Sequence, residues 1–197
     1  FLSLSDAEQL QTIKDLNDIG QEEIIIDVLT GVGIDNLSVP LLGELGRAYN
    51  NNDKPEEAIK VFKTIDTEHR DAVWHYRCAY SHGSIASTNH EAYTSENMQQ
   101  MLALVDNGVR LATKEGRNDI KEYCFEVMDM CRLQMDFEKC EVDYPDLCLN
   151  YSKYIAEKKK KREGVPRQRT ITVEEILATD DMWTINEPAY WTINIYG

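Results

Sequence analysis

The chain has no apolar run approaching the ~20 residues that a membrane-crossing helix needs. Its densest early cluster, Ile24-Ile25-Ile26, is too short for the hydrophobic stretch of a secretory leader. No P-loop, GxGxxG, HExxH or GxSxG stretch occurs, so the phosphate cradle, the dinucleotide fingerprint, the zinc-protease helix and the nucleophile elbow are all missing. The five cysteines are odd in number and include no CxxC pair. Neither a disulfide framework nor a zinc site is expected from them; free thiols in a reducing cytoplasm are. Positive charge is scarce. The 21 Lys and Arg face 35 Asp and Glu, a net −14. That argues against a nucleic-acid partner, because phosphate binding needs clustered basic side chains. No segment before residue 183 shows the period-two alternation of a strand. These absences lead to expectations of no enzyme activity, no cofactor, no metal and no membrane span.

What is there is helical periodicity. Hydrophobic residues make up 42% of the chain, enough to bury a core. Asp6 opens a predicted helix over residues 6–18, and "QEEIIIDVL" a second over 21–29, with Glu22 and Glu23 favourably placed in its first turn. "TGVGIDNLS" reads as a loop. Leu42, Leu45, Gly46 and Tyr49 then lie at i, i+3, i+4 and i+7, one face of a helix that "NNND" breaks. Pro55 suits the first position of the next helix, and Ala58, Val61, Phe62 and Ile65 repeat the same spacing. "DAVWHYRCAYSHG", residues 71–83, predicts another helix, and "HGSIASTNHEAYT" a polar loop. Ser95 and Asn118 are expected to cap two further helices, striped by Met98, Met101, Leu102, Val105, Val109 and Ala112, and by Ile120, Tyr123, Cys124, Val127, Met128 and Cys131. Residues 136–147 give no clear pattern. Residues 151–162 read as a helix with a basic end, and Thr172 is expected to cap a short one. The seven basic residues of "EKKKKREGVPRQR", residues 157–169, read as a solvated helix end, or as a docking site for an acidic partner.

The expected architecture is all-α, with stacked antiparallel helix pairs over residues 1–163 and a linker and C-terminal segment over 164–197. "LGELGRAYNNNDKPEEAIKVF", residues 42–62, resembles a tetratricopeptide repeat through Leu45, Gly46 and Tyr49 in its first helix and Ala58 and Phe62 in its second. Cys78 and Ala79 fill the large-small pair of a second repeat, where His82 replaces the tyrosine. "AVWHYRCAYSH" also looks like bacterial proteins of this class. "MWTINEPAYWTINIYG" is similar to the opening segment of a bacterial domain family that includes a DNA-mimic protein. With an opening Phe1 rather than Met, it raises the expectation of a chain clipped from a longer protein.

The repeat resemblance implies a concave surface lined by the first helix of each pair. Carried over residue by residue, it points to Gly43, Arg47, Asn50 and Asn51 from one pair and Tyr76, Arg77 and Tyr80 from the next. Arg47, Asn50, Asn51, Tyr76, Arg77 and Tyr80 are therefore the candidate partner-binding residues, with guanidinium and amide donors beside flat amphipathic rings. The clamp that some family members use on chaperone tails needs Lys and Asn where this chain has Gly43 and Tyr76, so that ligand is not implied. His75 with His82, and Cys124 with Cys131, are each seven residues apart and read as packing residues. The functional expectation is a protein-protein interaction scaffold that takes a peptide or protein partner. The alternatives are an acidic nucleic-acid mimic that inhibits a DNA-binding protein, and the regulatory half of a longer protein.

Overall fold

The computed structural model describes residues 1–89 and 95–163, and every described element is helical. The chain divides into two compact units, Phe1–Tyr154 and Ile155–Gly197. The expected helix at Thr172 and the aromatic segment after residue 180 lie outside the described residues.

The first unit opens with α1, Asp6–Asp18. Ser5 caps it reciprocally with Glu8: the Ser5 amide donates to the Glu8 carboxylate at 2.9 Å, and the Glu8 amide to Ser5 Oγ. Helix α2 spans Glu22–Val32, and a single 3-10 turn follows at Ile34–Asn36. The loop expected from residue 30 therefore starts later, because Thr30 turns its hydroxyl back onto Ile26 O at 2.6 Å and stays inside the helix. Helix α3 is Val39–Asn51 and α4 is Pro55–Thr64, each with a proline in its first turn where no amide partner is lost. Helix α5 is Ala72–Asn89, α6 is Glu96–Glu115 and α7 is Asn118–Met130. Ser95 caps α6 as expected, accepting from the Met98 amide at 3.1 Å, and Gly116 ends it at φ 71, in the left-handed region. The cap of α7 is Arg117 rather than Asn118.

Helix α5 runs six residues past the point where a loop was expected. Its polar stretch stays helical because Ser81, Ser87 and Thr88 satisfy their hydroxyls on Arg77 O, Ser84 O and Ile85 O within the helix. Gly83 lets α5 pass close to Val127, Met130 and Cys131, and Gln134 Nε2 donates to Ser87 O at 3.2 Å. The unpatterned stretch after 136 holds a short helix, α8, Phe137–Asp143, capped by Asp136. Helix α9 starts at Pro145, six residues before its expected start, and runs to Glu163.

Packing follows a regular order. Helix α1 contacts α2 and α3, α3 contacts α4 and α5, and α5 contacts α6 and α7. The even helices fill in between, α2 on α3, α4 on α5, and α6 on α7. One core runs through Ile13, Ile25, Leu29, Leu41, Leu45, Ala58, Phe62, Ile65 and Trp74. Phe62 is its hinge between pairs. Its ring meets Trp74 edge-on at 6.5 Å, and Trp74 Nε1 donates to Phe62 O at 3.1 Å. A Cβ on Gly46 would lie 2.4 Å from two Phe62 ring carbons, so only glycine lets α3 and α4 approach this closely.

Candidate functional site

Helices α3, α5 and α7 share one cleft of about 560 Å³. Helix α3 contributes Arg47, Asn50 and Asn51; α5 contributes Val73, Tyr76, Arg77 and Tyr80; Arg117 and then Asp119, Ile120 and Tyr123 come from the start of α7. The spacings of three and four residues put each set on one helix face. All six candidate residues line this cleft, and Gly43 stands just behind Arg77, whose Nη1 donates to Gly43 O at 3.0 Å.

Beneath the cleft sits Glu44, whose side chain is only 6% exposed. Its carboxylate accepts from Asn17 Nδ2 of α1 at 2.9 Å and from Arg77 Nη2 of α5 at 2.9 Å, and Arg47 Nη1 stands 3.6 Å away. One buried carboxylate thus ties three helices and aims two arginines. Arg47 also reaches Asp18 of α1 at 3.0 Å. Asn50 is 7% exposed and joins α3 to α5: its Nδ2 donates to Arg77 O at 3.0 Å, and its Oδ1 accepts from Ser81 Oγ at 2.7 Å. Asn50 and Arg77 therefore form the cleft's framework, with much of their hydrogen-bonding capacity used inside the fold. Asn51 is exposed on the rim, with Nδ2 3.3 Å from Glu22 Oε1.

The far wall is aromatic. Tyr76 and Tyr123 stack with centroids 5.3 Å apart and planes 29° from parallel. Tyr123 was expected in the apolar stripe of α7, yet it is 44% exposed. Burial, the largest cause, pushes the Tyr76 phenol up, so it stays a neutral donor at physiological pH. Arg117 grips Asp119 through Nε at 3.0 Å and Nη2 at 2.7 Å. Val73 and Ile120 supply the apolar floor between these rims.

Sequence reasoning missed Glu44, Val73, Arg117, Asp119, Ile120 and Tyr123. The first has no pattern of its own, being an acidic residue on an otherwise apolar helix face. The α7 residues were hidden because the segment between α5 and α6 breaks the 33-residue spacing that aligned Cys78-Ala79 with Leu45-Gly46. The two histidines read as packing residues have separate surroundings. His75 packs edge-on against Trp74 at 4.9 Å, with Nδ1 buried and unbonded, while His82 Nδ1–H donates to Asn97 Oδ1 at 2.9 Å. Among the described residues no group of three or more His, Cys, Asp or Glu is placed to hold a metal ion.

Chemically, the cleft offers planar rings, a guanidinium and amides beside a small apolar floor. That combination binds by shape and hydrogen bonding. Comparison with known proteins returns no matching family model, no matching curated protein and no matching solved structure.

Proposed function

We propose that this protein is a non-catalytic interaction scaffold, a tetratricopeptide-like stack of antiparallel helix pairs that takes a peptide or protein segment in the cleft of α3, α5 and α7. The observation that carries the proposal is the convergence of Arg47, Asn51, Tyr76, Tyr80, Arg117 and Tyr123 on one cleft. Rigid aromatics and arginines contribute the most per side chain at interfaces. The ordered contact of first helix with first helix supports the stacked arrangement. Arg47, Arg77 and Arg117 each already face a carboxylate of the fold, Asp18, Glu44 and Asp119 in turn, so in a chain of net −14 the cleft favours an occupant with at most one carboxylate beside an apolar side chain over one that is acidic throughout.

The test selects linear peptides from a random display library on the full chain and measures the binders against an Asn51→Ala, Tyr123→Ala double variant. Both side chains are exposed, so the fold should survive their loss. Arg47 makes a poorer probe, because Asp18 and Glu44 hold it and its removal disturbs the framework. The expected result is an affinity loss of more than ~2 kcal/mol in a folded variant whose melting temperature falls only slightly, through loss of the Tyr76–Tyr123 stack. Unchanged affinity in the folded variant would put the interface elsewhere.

A further inference from the structure

All five thiols are buried and free, but they have different surroundings. Cys124 packs beside Gly108, Cys131 donates to Gly83 O at 3.3 Å, and Cys78 belongs to the core around Phe62. These three are interhelix filler, and burial pushes Cys78 and Cys124 up to about 12 and Cys131 up to about 11. Cys140 of α8 and Cys148 of α9 instead face each other, with their sulfurs 2.8 Å apart.

This meeting depends on a break in the helix. In a continuous helix, residues eight apart would stand ~12 Å from each other, beyond disulfide reach. Tyr144 leaves the helical region at φ −137, ψ 61, as a residue before proline is driven to do, and Pro145 opens α9 in a new direction. The Tyr144 amide donates to Cys140 O at 2.7 Å and the Cys148 amide to Tyr144 O at 3.0 Å, fixing the corner. The sulfurs need only ~1 Å of further approach to reach the ~2.05 Å of a covalent bond.

We propose that Cys140 and Cys148 form an oxidation site, a dithiol that closes to an intramolecular disulfide in the presence of a low-molecular-weight disulfide such as oxidised glutathione. Cys148 keeps 5% exposure and Cys140 none, so Cys148 takes the first step. Its thiolate attacks one sulfur of the glutathione disulfide and releases one glutathione thiolate. Cys140, as thiolate, then attacks the Cys148 sulfur and releases the second. Two protein thiols are oxidised, one external disulfide is reduced to two thiols, and the two protein protons pass to the departing glutathiones. Burial pushes both protein thiols up, so exchange at neutral pH is slow and the site responds to sustained oxidation. The bond would staple α8, whose one buried side chain is Cys140, to the start of α9.

The test equilibrates the full chain in glutathione buffers of increasing oxidised fraction, blocks free thiols with an alkylating agent after denaturation, and maps the peptides. The expected product is a Cys140–Cys148 linked peptide, lighter by two hydrogens, with Cys78, Cys124 and Cys131 alkylated. Cys140→Ser should instead leave Cys148 carrying one glutathione. Alkylated Cys140 and Cys148 in the wild-type chain at the most oxidising ratio would overturn the proposal. So would a linkage between any other two cysteines, or a wild-type Cys148 that stops at the glutathione adduct.

Discussion

Replacing Glu44 by alanine removes the group that ties α1, α3 and α5 together, and its cost can be worked out contact by contact. Arg77 loses a 2.9 Å partner while its side chain is only 17% exposed, and Asn17 Nδ2 loses another at 2.9 Å. Breaking a buried pair by deleting one partner costs ~3–5 kcal/mol, because the surviving charge is left uncompensated. Two features favour the lower end. Arg77 Nη1 keeps its bond to Gly43 O, and Asn17 Nδ2 keeps a long contact of 3.4 Å to the main-chain oxygen of residue 44. Arg47 adds little, since its distance to the carboxylate is 3.6 Å and Asp18 remains. The expected loss for Glu44→Ala is therefore about 3 kcal/mol, measured from urea unfolding with the slope unchanged. Glu44→Gln keeps an acceptor but not the charge and should lose about 1–2 kcal/mol. Replacing Glu44 and Arg77 together by methionine should return most of the loss, because neither charge is then stranded. A Glu44→Ala variant within ~1 kcal/mol of wild type would refute the reasoning, since that is the value of a solvated surface pair.

Gly46→Ala should destabilise by about 1–2 kcal/mol despite alanine's higher helix propensity, because the new methyl would sit 2.4 Å from the fully buried Phe62 ring. Adding Phe62→Leu should offset part of that loss, whereas Phe62→Ala alone should cost ~3–5 kcal/mol; denaturant midpoints of the set check all three. His75 and His82 are both held below the usual histidine range, chiefly by burial, so the fold keeps them neutral. The unfolded chain takes up their protons first as pH falls below ~6.5, so stability should be flat above neutrality and decline through that value toward the lower folded-state pKa values. Melting temperature against pH checks this, and His82→Gln should flatten the decline.

Much of the helical order was legible because the sequence punctuates it. Pro55 and Ser95 act where local chemistry says they should, and Leu45, Gly46, Ala58 and Phe62 pack as their spacing requires, whereas sequence reasoning missed the Ser5–Glu8 cap of α1. The failures are tertiary. Residues 84–89 look like a loop by composition and are helical, with the Ser87 and Thr88 hydroxyls turned back onto the helix and Gln134 donating to Ser87 O. The corner at Tyr144 and Pro145 is visible as a proline, but that it brings two thiols together is not. At the site, the periodic faces of α3 and α5 located one half of the cleft. The other half came from α7, where Tyr123 reads as core by periodicity but is exposed and stacks on Tyr76. Asn50 and Arg77 look like ligand donors in sequence. Only their partners, Ser81 Oγ and Glu44, show how much of that capacity the fold itself uses.

The most direct test of the account is to titrate the isotope-labelled full chain with the tightest peptide from the display selection and follow its backbone amides by NMR. The account predicts shifts concentrated on α3, α5 and the start of α7, around Asn51, Tyr76, Tyr80 and Tyr123, with at most the first turn of α2 beside Asn51 following and α4 and α6 undisturbed. Shifts centred on α2, α4 and α6 with the cleft silent would contradict it.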